Sequence, residues 1–273
     1  MGRPRRKFVF LLVEGKTDRR ALYGPISSLF DSLPTEGESY DVRCFLPEID
    51  GDRGGDITSY GGICRETIEK EINKRFLRAF FKGSHPYVYP KDVSEVIHIV
   101  DLDGAFVPDE NVIAGGPGPD AEKGAFYDDP LIWASDVEEI LRRNRQKSLN
   151  VGYLSTLSEI EIGRGGGKRK VPYSIYYFSA NLDHFIAGDA NMPSSEKINA
   201  ADSFSRLCGD DHLAFMGQLR AIGACVEGMS YDESWEHAIE GTNSLSRGSN
   251  INLLFERFGL WQAFTCDEAD ANP

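Results

Sequence analysis

The sequence lacks any long uninterrupted apolar run, and this absence bears on where the protein works. No segment approaches the roughly 18 apolar residues of a membrane span. At the N-terminus, basic residues precede the apolar run 8–13, but this run is shorter than the ~7–15 residues of a signal-peptide core, and Glu14 ends it. We therefore expect a soluble, cytoplasmic protein that does not bind a membrane.

Paired cysteines are also lacking. The chain has five cysteines, none of them in a C-x-x-C pair. An odd count at wide spacing favours reduced thiols over a disulfide framework. Cys208 and His212 are four residues apart, but two ligands do not make a zinc site, so we interpret both as structural.

An excess of positive charge is the third absence. The net charge of −13 argues against a protein that coats nucleic acid through its overall field. It does not exclude a nuclease, because the carboxylates of a metal site add negative charge and basic contacts can be local. Basic residues cluster at 3–7, 142–147 and 164–170.

What the sequence does contain is an alternation of apolar strands and amphipathic helices. Continuous apolar runs bounded by turn signals are typical of strands buried on both faces. Strands are predicted at 8–13, 41–46, 95–100 and 172–178, and helices at 17–33, 63–81 and 130–147. This alternation predicts an α/β fold with a four-stranded parallel sheet flanked by helices.

Two regions are expected along the chain of 273 residues. Residues 1–180 would form the α/β domain, with insertions around 104–128 and 150–172. Residues 181–273 would form a mainly helical C-terminal region packed on it, because 180–264 shows helical patterns without a persuasive strand. The aromatic residues Phe255, Phe258, Trp261 and Phe264 are interpreted as helix-packing core.

The stretch "FVFLLVEGKTD" ends in Gly15-Lys16-Thr17, which resembles the end of a phosphate-binding loop. That loop requires a glycine five residues before Gly15, where this chain has Phe10. The intervening residues are apolar and belong in the sheet rather than in a flexible cradle. We therefore reject the phosphate-loop interpretation and assign Thr17 as the helix cap.

Acidic residues follow two of the predicted strands. Glu14 ends the first strand, and Asp101 and Asp103 end the third. Side chains alternate along an extended segment, so the two aspartates would point to the same side. If the two strands are neighbours, three carboxylates converge, and Asp18 could join them from the first helical turn. Such clusters usually imply a hard divalent cation, Mg²⁺ or Mn²⁺.

Each of these residues also has an ordinary explanation. A D-x-D pair after a strand is often a turn or a cap, and Asp18 suits a helix N-terminus. Lys16 is either a solvated lysine or a group that neutralises a phosphate or acts as a base. The combination favours a functional site, because both motifs fall at the carboxyl ends of strands, where open α/β sheets bind ligands.

Glu14-Gly15-x-x-Asp18 followed by Asp101-x-Asp103, each after an apolar strand, resembles the Toprim superfamily. That superfamily includes topoisomerases, bacterial primases, ribonuclease M5 and OLD-type nucleases. The resemblance covers about residues 7–110, or up to 180 with the fourth strand. It implies a Mg²⁺-dependent site that makes or breaks phosphodiester bonds, with Glu14 as acid/base residue and Asp101 and Asp103 as metal ligands.

The organisation is most similar to small stand-alone Toprim proteins encoded with defence ATPases in bacteria. This resemblance implies a nuclease that cleaves DNA or RNA in anti-phage defence. Nucleic acid and an ATPase are the expected partners, and a homodimer is a further candidate. Two alternatives stay open: a non-catalytic Toprim-like module that binds a partner protein through its acidic surface, and a primase-like nucleotidyl transferase.

Two further segments contain candidate site residues. Asp183 and His184 follow the fourth strand and are candidates for an extra metal ligand and a proton donor, although Asn181 could simply cap a helix there. The loop "GRGGGKRK" places Arg164, Lys168, Arg169 and Lys170 where they could bind a phosphate backbone. The alternative for this loop is a mobile, solvated segment.

Overall fold

Four parallel strands form the centre of the fold, as the sequence predicts. The computed structural model describes residues 5–34, 37–78, 80–81, 88–116 and 124–262. Phe264, Cys266 and part of the expected 104–128 insertion lie outside them, as do Arg3 and Pro4 of the first basic cluster. The parallel strands are β1 (Arg5–Leu12), β2 (Glu38–Phe45), β5 (Val93–Asp101) and β10 (Arg169–Phe178).

A fifth strand makes the central sheet mixed. The strand order is β2-β1-β5-β10-β9, and β9 (Glu159–Ile162) runs antiparallel to β10. The segment 150–172, expected as an insertion, therefore contributes a strand to this sheet. β1 and β5 are neighbours, so the acidic residues that follow them lie at the same end of the sheet.

Helices cover both faces of this sheet. Along β1 the side chains alternate: Val9 and Leu11 belong to one buried cluster, and Phe10 and Leu12 belong to the other. Helix α1 (Lys16–Ser32) packs on the first face through Leu22, Ile26 and Leu29. The fold is thus a mixed α/β architecture with a core on each side of the sheet.

The start of α1 differs from the prediction. Thr17 does not cap it, because the helix begins at Lys16 and its N-cap is Gly15. Instead, the backbone N–H of Gly15 donates to Asp18 Oδ2 over 2.6 Å. The carboxylate of Asp18, in the first turn of the helix, therefore stabilises the backbone just after Glu14.

The second predicted helix is shorter than expected. Between β2 and the next helix lie the short strands β3 (Glu48–Ile49) and β4 (Asp52–Arg53), and residues 61–62 and 65–67 form turns. The helix itself is α2 (Ile68–Ile72), which continues as a π-helical segment, Asn73–Leu77.

The prediction for 130–147 was wrong in its boundaries. Leu131–Ala134 is strand β8, and helix α3 spans Val137–Ser155. The Asp136 side chain accepts a hydrogen bond from the backbone of Glu139 over 3.0 Å, which starts the helix there. The 104–128 segment, expected as a loop or insertion, supplies β6 (Val112–Ala114) and β7 (Ala125–Asp128), which pair with β8 in a small sheet.

The C-terminal region is helical, as predicted. Its helices are α4 (Leu182–Ala187), α5 (Ser194–Cys208), α6 (His212–Ile222), α7 (Tyr231–Ile239) and α8 (Asn252–Glu256). Within described residues 179–262 only isolated β-bridges occur, and no strand. Phe255 and Trp261 are buried in the core cluster and Phe258 packs against that cluster, as expected for core residues. No helix in the described part of the chain is long and apolar enough to cross a membrane.

Candidate metal centre at the carboxyl end of the sheet

The turn after β1 presents Glu14 at the carboxyl end of the sheet. Val13 still bonds to the neighbouring strand, its N–H donating to Phe45 O over 3.1 Å. The carbonyl of Glu14 then accepts from Gly55 N over 2.9 Å, which ties this turn to the segment after β4. Because its backbone is held from both sides, the position of Glu14 is fixed, and its side chain is almost fully buried.

The centre of the site is a lysine. Lys147 Nζ lies 2.6 Å from Asp103 Oδ2, 2.9 Å from Asp56 Oδ2 and 3.7 Å from Glu14 Oε1. Its side chain is only 1% exposed. Oxygens of Glu14, Asp56 and Asp103 lie within 4.8 Å of one another. We call these four residues the lysine-centred cluster.

Asp56 is the most fully bonded carboxylate of this cluster. Its Oδ1 accepts hydrogen bonds from the backbone N–H and the hydroxyl of Thr58, at 2.7 and 2.5 Å. Burial opposes its charge, but Lys147 and these hydrogen bonds outweigh burial and lower the pKa of Asp56 to about 2. Asp56 therefore stays ionised throughout the physiological range.

Glu14 is the opposite case. Burial, reinforced by the charge of Asp56, raises the pKa of Glu14 well above its ordinary value, although Lys147 acts the other way. Its Oε1 is buried without a hydrogen bond among the described residues, and its ion pair with Lys147 is too long to be one. The charge of one lysine does not balance the charges of three carboxylates, and Glu14 is the carboxylate whose pKa is raised.

Asp101 and Asp103 do not lie on one extended segment as expected. β5 ends at Asp101, and Asp103 adopts a positive φ of 49°. Asp101 Oδ1 accepts from the backbone N–H of Leu182 over 2.9 Å, whereas Asp103 contacts Lys147. The chain turns between the two aspartates, so they bind different partners, yet both line one cavity of about 620 Å³.

A second group of acids lies close enough to the first for their charges to interact. Asp183 Oδ2 pairs with Lys197 Nζ over 2.6 Å, while the buried Oδ1 has no hydrogen bond among the described residues. Burial, followed by the charge of Asp183, raises the pKa of Asp18 to about 6. Burial and the charge of Asp18 likewise raise the pKa of Asp101. We call Asp18, Asp101 and Asp183 the aspartate cluster.

The other predicted residues lie elsewhere. Lys16 is exposed and lines a separate cavity of about 460 Å³ with Arg19 and Arg53. His184 is half-buried, and burial and then Arg247 lower its pKa. The acids that act the other way are Asp129 and Asp189, which belong to neither acidic cluster. Asn181 does cap α4, since its side chain accepts from His184 N over 2.9 Å.

The basic loop is at the other end of the sheet. Arg164, Lys168, Arg169 and Lys170 lie between β9 and the start of β10, whereas the acidic residues follow the ends of β1 and β5. Arg164 and Lys168 line a cavity there. Arg169 instead donates to Lys91 O over 3.0 Å, and Lys170 is exposed within β10. The loop does not border the carboxylates.

Two residues of the lysine-centred cluster were not predicted from the sequence. Asp56 ends the acidic, glycine-rich stretch "DGDRGGD" after β2, a composition typical of a loop at the carboxyl end of a strand. Lys147 belongs to a basic run that resembles a solvated surface. However, it falls on the buried face of α3 with Ile140, Val151 and Leu154, at the 3–4-residue spacing of a core position. A lysine at a core position of an amphipathic helix was the signal in the sequence that could have identified Lys147 as a site residue.

The donor set fits a hard divalent cation. The ligand atoms are carboxylate oxygens, which Mg²⁺ and Mn²⁺ prefer. Two of them, on Glu14 and Asp183, are buried and have no hydrogen bond within the described part of the chain. Acids outnumber the lysines Lys147 and Lys197 in the two clusters. A bound cation would offset the remaining negative charge.

Comparison with known proteins gives no family assignment. No protein-family model matches the chain, and no curated protein or solved structure matches it either.

Proposed function

We propose that this chain is a divalent-metal-dependent nuclease with a Toprim-type fold, which hydrolyses phosphodiester bonds in DNA or RNA. One observation carries the proposal: Glu14 and Asp103 follow adjacent parallel strands and meet with Asp56 within 4.8 Å. The Toprim-like motifs supply two of these three residues. The role in anti-phage defence and the ATPase partner are proposed from the resemblance alone.

In this proposal the residues of the site have different roles. Glu14, Asp56 and Asp103 would hold Mg²⁺ or Mn²⁺, with Asp101 as the further ligand that the Toprim resemblance implies. The bound cation would act as a Lewis acid and activate a water. Burial raises the pKa of Glu14, which makes its carboxyl group a better proton acceptor than an ordinary glutamate. Lys147 is held by Asp56 and Asp103, and its ammonium offsets part of the negative charge of the carboxylates.

The test is cleavage of labelled DNA and RNA by the purified chain with Mg²⁺ or Mn²⁺. We expect Glu14→Gln and Asp103→Asn to lower the rate by more than about 100-fold, since even residues that only support metal ligands contribute about 10–100-fold. Asp109→Asn is the matched control, because Asp109 is exposed and pairs with Arg145 away from the site. Equal cleavage by the two site variants and the wild type would sink the proposal.

One observation favours a second candidate, a non-catalytic module that binds a partner protein. Lys147 already occupies the space between the three carboxylates that a cation would need. In that case the cluster is a structural ion network. Calorimetric titration with Mg²⁺ separates the two: the nuclease binds Mg²⁺ and loses binding in Asp103→Asn, whereas the module shows no binding in either form.

A further inference from the structure

A groove at the amino end of the sheet collects positive charge in an otherwise acidic chain. Its cavity, of about 320 Å³, is lined by five basic residues: Lys70, Lys74, Arg78, Arg164 and Lys168. The first three come from the helix that begins with α2, and the last two come from the loop between β9 and β10. We call this cavity the basic groove.

Most of this charge is not neutralised within the protein. Lys74 pairs with Glu71 and Lys168 pairs with Glu161. Among the described residues, no carboxylate lies within 4 Å of Lys70, Arg78 or Arg164. Like charges brought together without counter-charges repel one another, so an external anion that enters the groove gains a favourable interaction.

The loop wall of the groove is a built structure. The Asn73 side chain donates to Gly163 O over 2.8 Å and accepts from Gly163 N over 3.1 Å, which fastens the loop to the helix. Gly163 has a φ of 104°, and a Cβ there would lie 2.6 Å from Pro90 and 2.8 Å from Gly167 O. Glycine is therefore required at this position, and the fastened loop places Arg164 in the lining of the same cavity as Lys70 and Arg78.

We propose that the basic groove binds the sugar–phosphate backbone of a nucleic acid at a second site, separate from the carboxylates. Its basic residues present donors for phosphate oxygens, and its small volume suits backbone rather than a set of base pockets. β10 spans the distance between the two sites, and its ten residues correspond to about 30 Å. The choice of nucleic acid as the polyanion rests on the proposed function.

The experiment measures binding without metal, so that it is independent of cleavage. Fluorescence anisotropy of a labelled oligonucleotide, single-stranded or duplex, is followed in chelator over a range of salt concentrations. For the double variant Lys70→Glu/Arg164→Glu we expect at least a tenfold loss of affinity at low salt. The slope of log K against log salt should become shallower by about 1.4–1.8, which corresponds to two lost phosphate contacts.

The control is Arg142→Glu/Arg206→Glu, which changes the net charge equally on helices α3 and α5. It should bind the oligonucleotide like the wild type. An equal loss of affinity in this control would overturn the proposal that the basic groove is the binding site. Lys70→Gln/Arg164→Gln repeats the test if the double-Glu variant fails to fold. Polyglutamate that competes as well as unlabelled oligonucleotide would overturn the choice of nucleic acid in favour of an acidic protein.

The outcomes for the two sites can be told apart. If the wild-type protein cleaves nucleic acid with Mg²⁺ but does not bind the oligonucleotide in chelator, the proposed binding at the basic groove is wrong and the nuclease proposal stands. If the protein binds the oligonucleotide through the groove but never cleaves it, the binding proposal stands and the nuclease proposal is wrong.

Discussion

Two sites at opposite ends of the central sheet carry opposite charge. At the carboxyl end, the lysine-centred and aspartate clusters bury more carboxylates than lysines. At the amino end, the basic groove gathers five basic residues, and among the described residues two of them pair with an acid. The net charge of −13 is a sum over the whole chain and does not show that opposite charges lie apart. The separation of about 30 Å exceeds the roughly 8 Å screening length of physiological salt, so each end acts on its ligands locally.

The two ends also differ in how their charges are solvated. Lys147 is enclosed by its partners, whereas Lys74 is half exposed at its ion pair with Glu71. An enclosed charge depends on its partners for stability, and an exposed one is largely solvated by water. The largest effects on folding are therefore expected at the carboxyl end.

The sharpest test of this contrast is Lys147→Met. Removal of this ammonium leaves three carboxylates without their counter-charge, and we expect the variant to lose about 3–5 kcal/mol of unfolding free energy in chelator. Urea denaturation measures the loss. Lys74→Met is the matched control and should change stability little. If Lys147→Met is as stable as the control, the lysine does not hold the cluster together.

The second test concerns the pH dependence of the aspartate cluster. Burial raises the pKa of Asp18 to about 6 from an ordinary 3.8, so the folded protein holds this proton more tightly than the unfolded chain does. Stability from this residue is therefore present below about pH 4 and is lost as the pH rises towards 6. The corresponding penalty above pH 6 is up to about 3 kcal/mol.

Asp18→Asn removes that penalty and retains an acceptor for the Gly15 N–H. In chelator we expect the variant to be more stable than the wild type at pH 7.5 and similar to it near pH 4. Thermal melting at the two pH values measures the difference. Asp109→Asn serves as the exposed control. An identical gain at both pH values would show that the effect does not come from ionisation of Asp18.

The smallest expected effect is at the basic groove. Gly163→Ala forces a side chain into a backbone of positive φ against Pro90 and Gly167 O, and should cost about 1–3 kcal/mol. Gly166→Ala is a close control in the same loop, because its added Cβ meets nothing within 4 Å. Urea denaturation compares the two. A Gly163 variant as stable as the Gly166 variant would mean that the loop wall is not fixed there.

Much of the fold was predictable because the strands are locally encoded. The apolar runs that include Val9, Ile97 and Tyr176 are typical of strands in the middle of a sheet covered on both faces, and these three residues are buried there. The prediction was wrong where two signals competed. Leu131–Ala134 is apolar enough for either a helix or a strand, and Asp136 decides the outcome by capping α3 after it.

The candidate site was predictable only in part. Glu14, Asp101 and Asp103 were predicted because strand ends in a parallel sheet meet at one end. Asp56 and Lys147 were not, because their roles depend on contacts with residues more than forty positions away, such as the Lys147–Asp103 pair. Sequence spacing along one element does not report such contacts.

By itself, the sequence determined the parallel strands and the presentation of acids at their carboxyl ends. Both follow from the alternation of buried side chains and from the polar residues that end each strand. Tertiary structure alone decided which charge meets which: α3 inserts Lys147 among Glu14, Asp56 and Asp103, and Asn73 fastens the basic loop to the helix of α2. Ion pairing acts through space at a few ångströms, so it depends on packing rather than on order along the chain.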